Sequence, residues 1–185
     1  TEKISLRAEG NPFYIEELLN YLHDRNIDPQ QPEALEQIDL PNSLHSLILS
    51  RIDQLTENQK TLLKVASVIG RLFRAAMLWG IYDQFGDQEQ VRSDLDILSA
   101  MDLTPLDTPE PELAYLFKHI LTQEVAYETL AFATRAKLHD QIGQYIEKTY
   151  QNEIDQYNDL LAHHFGHSEN LVKKREYLLK AGEAA

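Results

Sequence analysis

The sequence predicts a mainly α-helical fold with one short two-stranded ribbon near its middle. Three observations carry that expectation. Apolar residues recur at three- and four-residue spacing over most of the chain. Capping residues stand just before several of these runs. Two alternating segments flank Thr108-Pro109-Glu110-Pro111-Glu112, a turn rich in proline and acid.

The first helix opens at Gly10-Asn11-Pro12-Phe13. Gly10 can take a positive φ, Asn11 can accept from the orphan amides, and Pro12 suits the first helical position, where no N–H is needed. Ile15, Leu18, Leu19 and Leu22 then form an apolar stripe, with Glu16 and Glu17 near the positive end of the dipole. Asp28-Pro29-Gln30-Gln31-Pro32-Glu33 cannot continue the helix and reads as a linker. Residues 1–40 hold three basic and nine acidic side chains and too little apolar surface for a core of their own, so they read as the tail of a preceding domain.

From Leu40-Pro41 the helical signals become dense. Leu44, Leu47, Ile48, Ile52 and Leu55 line one face of a helix entered through Asn42 or Ser43. Thr56 and Gln59 make a capping box before Leu62, Val65, Ala66 and Ile69, and Gly70 offers a stop. A shorter helix is expected from Arg74 to Gln84, with Trp79 in the core. Asp87 and Gln90 repeat the capping-box spacing before Val91, Leu95, Leu98 and Met101. Leu103 to Asp107 and Leu113 to His119 read as strands, with Leu113, Tyr115, Phe117 and His119 on one face. Helices ending in a two-stranded ribbon are the layout of a winged helix, here 41–150, whose wing is Leu103 to Lys118. Helices from Thr122 and over 134–150 follow. In 151–185, Ile154, Tyr157, Leu160, Leu161 and Phe165 fall on one helix, and Leu171, Leu178 and Leu179 on another after a turn at Gly166. That pair has the size of one tetratricopeptide-like repeat, the start of an array.

Bulk properties narrow the function. A formal charge of -13 argues against nucleic acid or an anionic membrane as partner. The helix before the wing carries Arg92 as its one cation between Asp87 and Asp96. Residues 41–150 hold ten basic and fifteen acidic side chains, so a DNA-binding transcription regulator is the alternative reading and not the preferred one. With no cysteine there is no disulfide, thiol nucleophile or cysteine zinc site. No apolar run reaches the length of a membrane span, and a cytoplasmic location is expected.

Candidate catalytic and metal residues give little. No Gly-x-x-x-x-Gly-Lys-[Ser/Thr] loop is present, and no catalytic constellation emerges. Glu16 and Glu17 are adjacent and point about 100° apart on a helix, so no shared site is expected. His163, His164 and His167 have helical ligand spacing without a nearby acid, so a solvated helix end is expected in place of a metal site. His139-Asp140 stands alone.

Gly10-Asn11-Pro12-Phe13 and its acidic, leucine-rich helix resemble the glycine-x-proline motif in the lid of STAND-type signalling NTPases, relatives of the AAA+ ATPases. Leu40 to Leu63, Phe117 to Tyr127, and Leu160-Leu161-Ala162-His163-His164 resemble, in the same order, blocks of bacterial regulators that join this NTPase to adenylate/guanylate cyclase or kinase domains. The resemblance implies that residues 1–40 are the end of a lid and that Pro12 packs by an adenine in the intact protein. It also implies that His119, like the histidine of the Met-His-Asp motif in related proteins, touches the β-phosphate of ADP. A histidine suits that role as a hydrogen-bond donor that gains charge near neutral pH. Gly10, Pro12 and His119 are thus the expected nucleotide-binding residues, with ADP or ATP and magnesium bound by the parent protein and none by this fragment. The partners implied are the upstream NTPase core and downstream repeats of the same polypeptide, with a further protein partner reached through the repeats. The bland reading of His119 is a strand-end histidine bonded to nearby backbone.

Overall fold

The computed structural model describes residues 10–31, 40–81 and 87–184. Expectations for Thr1 to Glu9, for the linker over 32–39 and for the end of the third helix in the 41–150 region at 82–86 lie outside the described residues. Among them the chain is mainly helical with a small three-stranded antiparallel sheet.

Helix α1 spans Pro12–Asp24, and its start follows the local chemistry: Gly10 has φ 79°, and the Asn11 side chain accepts from the Phe13 and Tyr14 amides. Its buried stripe is Tyr14, Leu18, Tyr21 and Leu22, packed with Leu40 and Leu47. Leu19, expected inside, is exposed, because it lies about 100° round the helix from Leu18. Helix α2, Leu44–Ile52, is capped by Ser43, which shares a reciprocal box with Ser46. Helix α3, Glu57–Ile69, carries the predicted Thr56–Gln59 box and stops at Gly70, whose φ of 147° favours glycine.

Strand β1, Leu72–Arg74, adds a third strand to the predicted two-stranded ribbon. Three residues are too few for periodicity to register, although Phe73 is buried between exposed neighbours. Helices α4, Ala75–Ile81, and α5, Gln88–Ala100, follow, the second capped by Asp87 through the Gln90 amide. Gln90 does not complete the box; its amide donates to Asp94, a buried carboxylate that also accepts from Gln59. Trp79 is half-buried against the core rather than enclosed by it.

The ribbon consists of β2, Leu106–Thr108, which starts three residues later and ends one residue later than predicted, and β3, Ala114–Leu116, which is shorter than predicted at both ends. The sheet order is β1-β3-β2, with Phe73 opposite Tyr115 and a register irregularity between Leu106 and Thr108. Leu113, Tyr115 and Phe117 are buried as expected. Helices α6, Ile120–Glu128, and α7, Phe132–Thr149, complete the central body.

The single helix expected around Ile154 to Phe165 is two elements, a 3-10 helix over Gln151–Tyr157 and α8 over Asn158–Gly166, with a non-helical Glu153 inside the first. The last helix, α9, spans Leu171–Ala184. Its buried residue is Tyr177, stacked on Phe165, whereas Leu171, Leu178 and Leu179 are exposed, against the predicted stripe. One apolar core runs from Ile48 on α2 through Ile142 on α7 to Phe165 and Tyr177. No helix among the described residues is long and apolar enough to cross a membrane.

Candidate functional site

Docking of α1 on the central body rests on a fully buried arginine. Arg51 sits on the inward face of α2, one position before Ile52. Its Nη1 donates to Glu17 Oε2 at 2.6 Å and its Nε to Asp24 Oδ2 at 2.7 Å. Nη2 donates to the Met101 carbonyl at the end of α5. Glu17 is 1% exposed and Arg51 0%, so the guanidinium joins α1, α2 and the α5 terminus inside the protein. The fork geometry of arginine suits this task, since its donors leave in fixed directions toward different acceptors.

A second cation stands at the rim. Lys118 Nζ donates to Glu16 Oε1 at 2.5 Å and also to Asp102. These bonds, the Asp102 one first, hold its pKa above the ordinary lysine value, so it stays charged. Asp102 has φ 61°, the left-handed geometry that acids tolerate better than most residues.

His119 lies between these groups. It caps α6 by backbone position without a side-chain cap bond, and its ring stands 3.9 Å from the Phe13 ring, centroid to centroid. Its Nε2 is 3.7 Å from Glu16 Oε2 and 3.9 Å from Glu17 Oε1, too far for hydrogen bonds, and is buried without a partner. Burial pushes the imidazole pKa below its ordinary value against the pull of the two carboxylates. Nε2 thus makes no bond to nearby backbone.

The structure thus brings together the segment holding Gly10 and Pro12, through Phe13, and His119. It corrects the view of Glu16 and Glu17 as unrelated acids: both come within 4 Å of the same imidazole nitrogen. Carboxylates from Glu16, Glu17, Asp24 and Asp102 outnumber the cations Arg51 and Lys118 around this point. Any phosphate at His119 would therefore need further positive charge.

Arg51, Asp24 and Lys118 were not singled out in the sequence, although two signals were there. An arginine interrupts the Leu47, Ile48, Ile52 stripe, and Glu17 and Asp24 lie seven residues apart on one face of α1. On α5, Arg92 Nη1 donates to Glu110 Oε1 at 2.8 Å, which neutralises that helix's cation.

Of the C-terminal histidines, His163 and His167 are exposed as a solvated helix end would be. His164 is not: it is buried against His139, 25 positions earlier on α7, and their Nδ1 atoms are 3.0 Å apart. Asp140 faces elsewhere, accepting from Asn170 and Gln144.

No protein family, curated protein or solved structure matches the chain.

Proposed function

We propose that this chain is a non-enzymatic regulatory part of a multidomain bacterial signalling NTPase, relaying ADP or ATP state from an upstream core to attached domains. One observation carries the reading: Phe13, next to Gly10 and Pro12, packs on His119. The resemblance assigns exactly those two distant places in the sequence to a single nucleotide. In this reading α1 is the end of the lid, held on the body by Arg51, and α8 with α9 begins a helical repeat. A winged helix is supported by the element order α3-β1-α4-α5-β2-β3 and by the sheet order β1-β3-β2.

Gly10, Pro12 and His119 would meet nucleotide only in the intact protein. The acid excess around His119 requires a magnesium ion and basic side chains of the NTPase core to offset it before phosphate can approach. Without such a core, Arg51 and Lys118 simply close α1 down.

The same element order would also serve a DNA-binding transcription regulator. Electrostatics disfavour that reading, because Arg92 is the one cation on α5 and Glu89, Asp96 and Glu110 surround it.

The test is His119→Ala in the full-length protein. Losing one hydrogen bond to a charged acceptor is worth about 1.5–3 kcal/mol, so ADP affinity falls roughly tenfold or more and basal output rises. Unchanged ADP affinity in a folded variant would leave His119 as a packing residue. An upstream reading frame without a phosphate loop would remove the NTPase reading altogether.

A further inference from the structure

We propose that His139, His163 and His164 form a binding site for a first-row divalent cation, with zinc the best-matched ion. Three helical facts assemble it. His139 lies on the inward face of α7, three residues before buried Ile142. His163 and His164 are consecutive on α8, which crosses α7 closely enough that a Cβ at Gly143 would meet the Phe165 ring at 2.6 Å. One nitrogen from each of the three rings lies within 4.8 Å of the others.

The geometry is near that of a coordinated ion. Two imidazole nitrogens bound tetrahedrally at about 2.0–2.1 Å are spaced by roughly 3.3 Å. The Nδ1 atoms of His139 and His164 are 3.0 Å apart, so a few tenths of an ångström of separation admits the metal between them. His163 is exposed, and its ring packs 5.7 Å from that of His139 and 5.2 Å from that of His164, beside the third position. A cavity of about 340 Å³, whose lining includes Gln123, Glu124, Tyr127 and His167, opens beside His139 and His163. It has room for a water as fourth ligand, whose share of liquid volume is about 30 Å³.

Two further observations point to a ligand. His164, 1% exposed, makes a single side-chain hydrogen bond, through Nδ1 to another buried histidine, while its Nε2, directed away from the ion, has no partner. That is a poor return for burying an imidazole if its purpose were packing. His139 Nε2 is 3.1 Å from the Tyr127 hydroxyl. Without metal, one Nδ1 must carry the proton that joins the pair. If His139 carries it, Tyr127 O–H donates to Nε2. On metal binding that proton moves to Nε2, which then donates to Tyr127 Oη, and both Nδ1 lone pairs turn to the ion. Such an outer hydrogen bond is what holds a ligating histidine in one tautomer. Burial keeps both rings neutral at ordinary pH, as ligation requires. Among nearby charged groups, Arg135 opposes the ion, but its guanidinium is engaged with the Leu130 carbonyl and the Tyr127 ring. His167 keeps Nδ1 bonded to the His163 carbonyl at 2.8 Å and stacks on His139.

The untagged 185-residue chain, stripped with a chelator, is titrated with zinc at pH 7.5 by calorimetry, and with cobalt(II) for its visible spectrum. One equivalent should bind with Kd of about 10⁻⁶ M or tighter. Cobalt should give the intense absorption of a four-coordinate site, and zinc should raise the Tm. His163→Ala, at an exposed position, should weaken zinc at least tenfold while leaving the fold intact. Tyr127→Phe should cost about tenfold through the outer hydrogen bond, and His23→Ala, at an exposed histidine on α1, should change nothing. Zinc binding weaker than about 10⁻⁴ M, or binding unaltered by both His163→Ala and His164→Gln, would overturn the site.

Discussion

Replacing Arg51 with methionine removes the guanidinium while keeping most of the aliphatic stem. Glu17 and Asp24 are then left without their cation, and the Met101 carbonyl loses a donor. Breaking a buried ion pair by deleting one partner costs about 3–5 kcal/mol, because the remaining charge stays desolvated. An exposed pair would cost about 0–1 kcal/mol. Taking about 4 kcal/mol and a urea m-value near 2 kcal/mol/M, the midpoint should fall by about 2 M. The chain can relieve the stress by protonating a carboxylate or by releasing α1, so the exchange of the Leu18 to Leu22 amides should rise more than that of α7. Arg51→Met combined with Glu17→Met and Asp24→Leu should recover much of the loss, since replacing a buried ionic network by apolar side chains of similar volume is often near neutral. Urea melts followed by circular dichroism supply the first number, and amide exchange supplies the second. A midpoint shift equivalent to less than about 1 kcal/mol would refute the claim that Arg51 anchors α1.

Gly143→Ala should destabilise the protein by about 1–3 kcal/mol in the same melts, because the new Cβ overlaps the fully buried Phe165 ring. Thr56→Ala should cost about 1 kcal/mol by removing the cap that accepts from the Gln59 amide. Burial lowers the His139 pKa to about 4 and the His164 pKa to about 3, whereas an unfolded chain titrates near 6.5. The folded state therefore binds fewer protons in that window. The stability carried by these rings is fully present above pH 6.5 and is lost as pH falls toward the folded values, at about 1.4 kcal/mol per unit for each histidine. In chelator-treated protein, His164→Gln should flatten the decline of unfolding free energy between pH 6.5 and 4.5; an unchanged slope would refute the assignment.

Much of the helical layout was legible because it rests on local chemistry. Asn11, Ser43, Thr56 and Asp87 each accept from a first-turn amide, which needs no knowledge of the rest of the chain. The sheet was half legible: Leu113, Tyr115 and Phe117 alternate visibly, whereas β1 is three residues long and exists by pairing with distant β3. The exposed Leu171, Leu178 and Leu179 show where leucine content misleads, since Tyr177 occupies the inward face and donates to Glu147. The candidate site was legible only in its ends. Gly10, Pro12 and His119 could be singled out by resemblance, but the Arg51 network and the His139–His164 contact depend on helix crossings that no spacing rule encodes. The isolated arginine in the apolar stripe of Leu47, Ile48 and Ile52 is the clearest sequence signal of that network.

The most direct test of the proposed relay is amide exchange over Tyr14 to Leu22 in the full-length protein loaded with ADP or with ATP. The account predicts slower exchange with ADP, which closes α1 onto Arg51 and His119, and faster exchange with ATP. Equal protection in the two states, with both nucleotides shown to be bound, would contradict it.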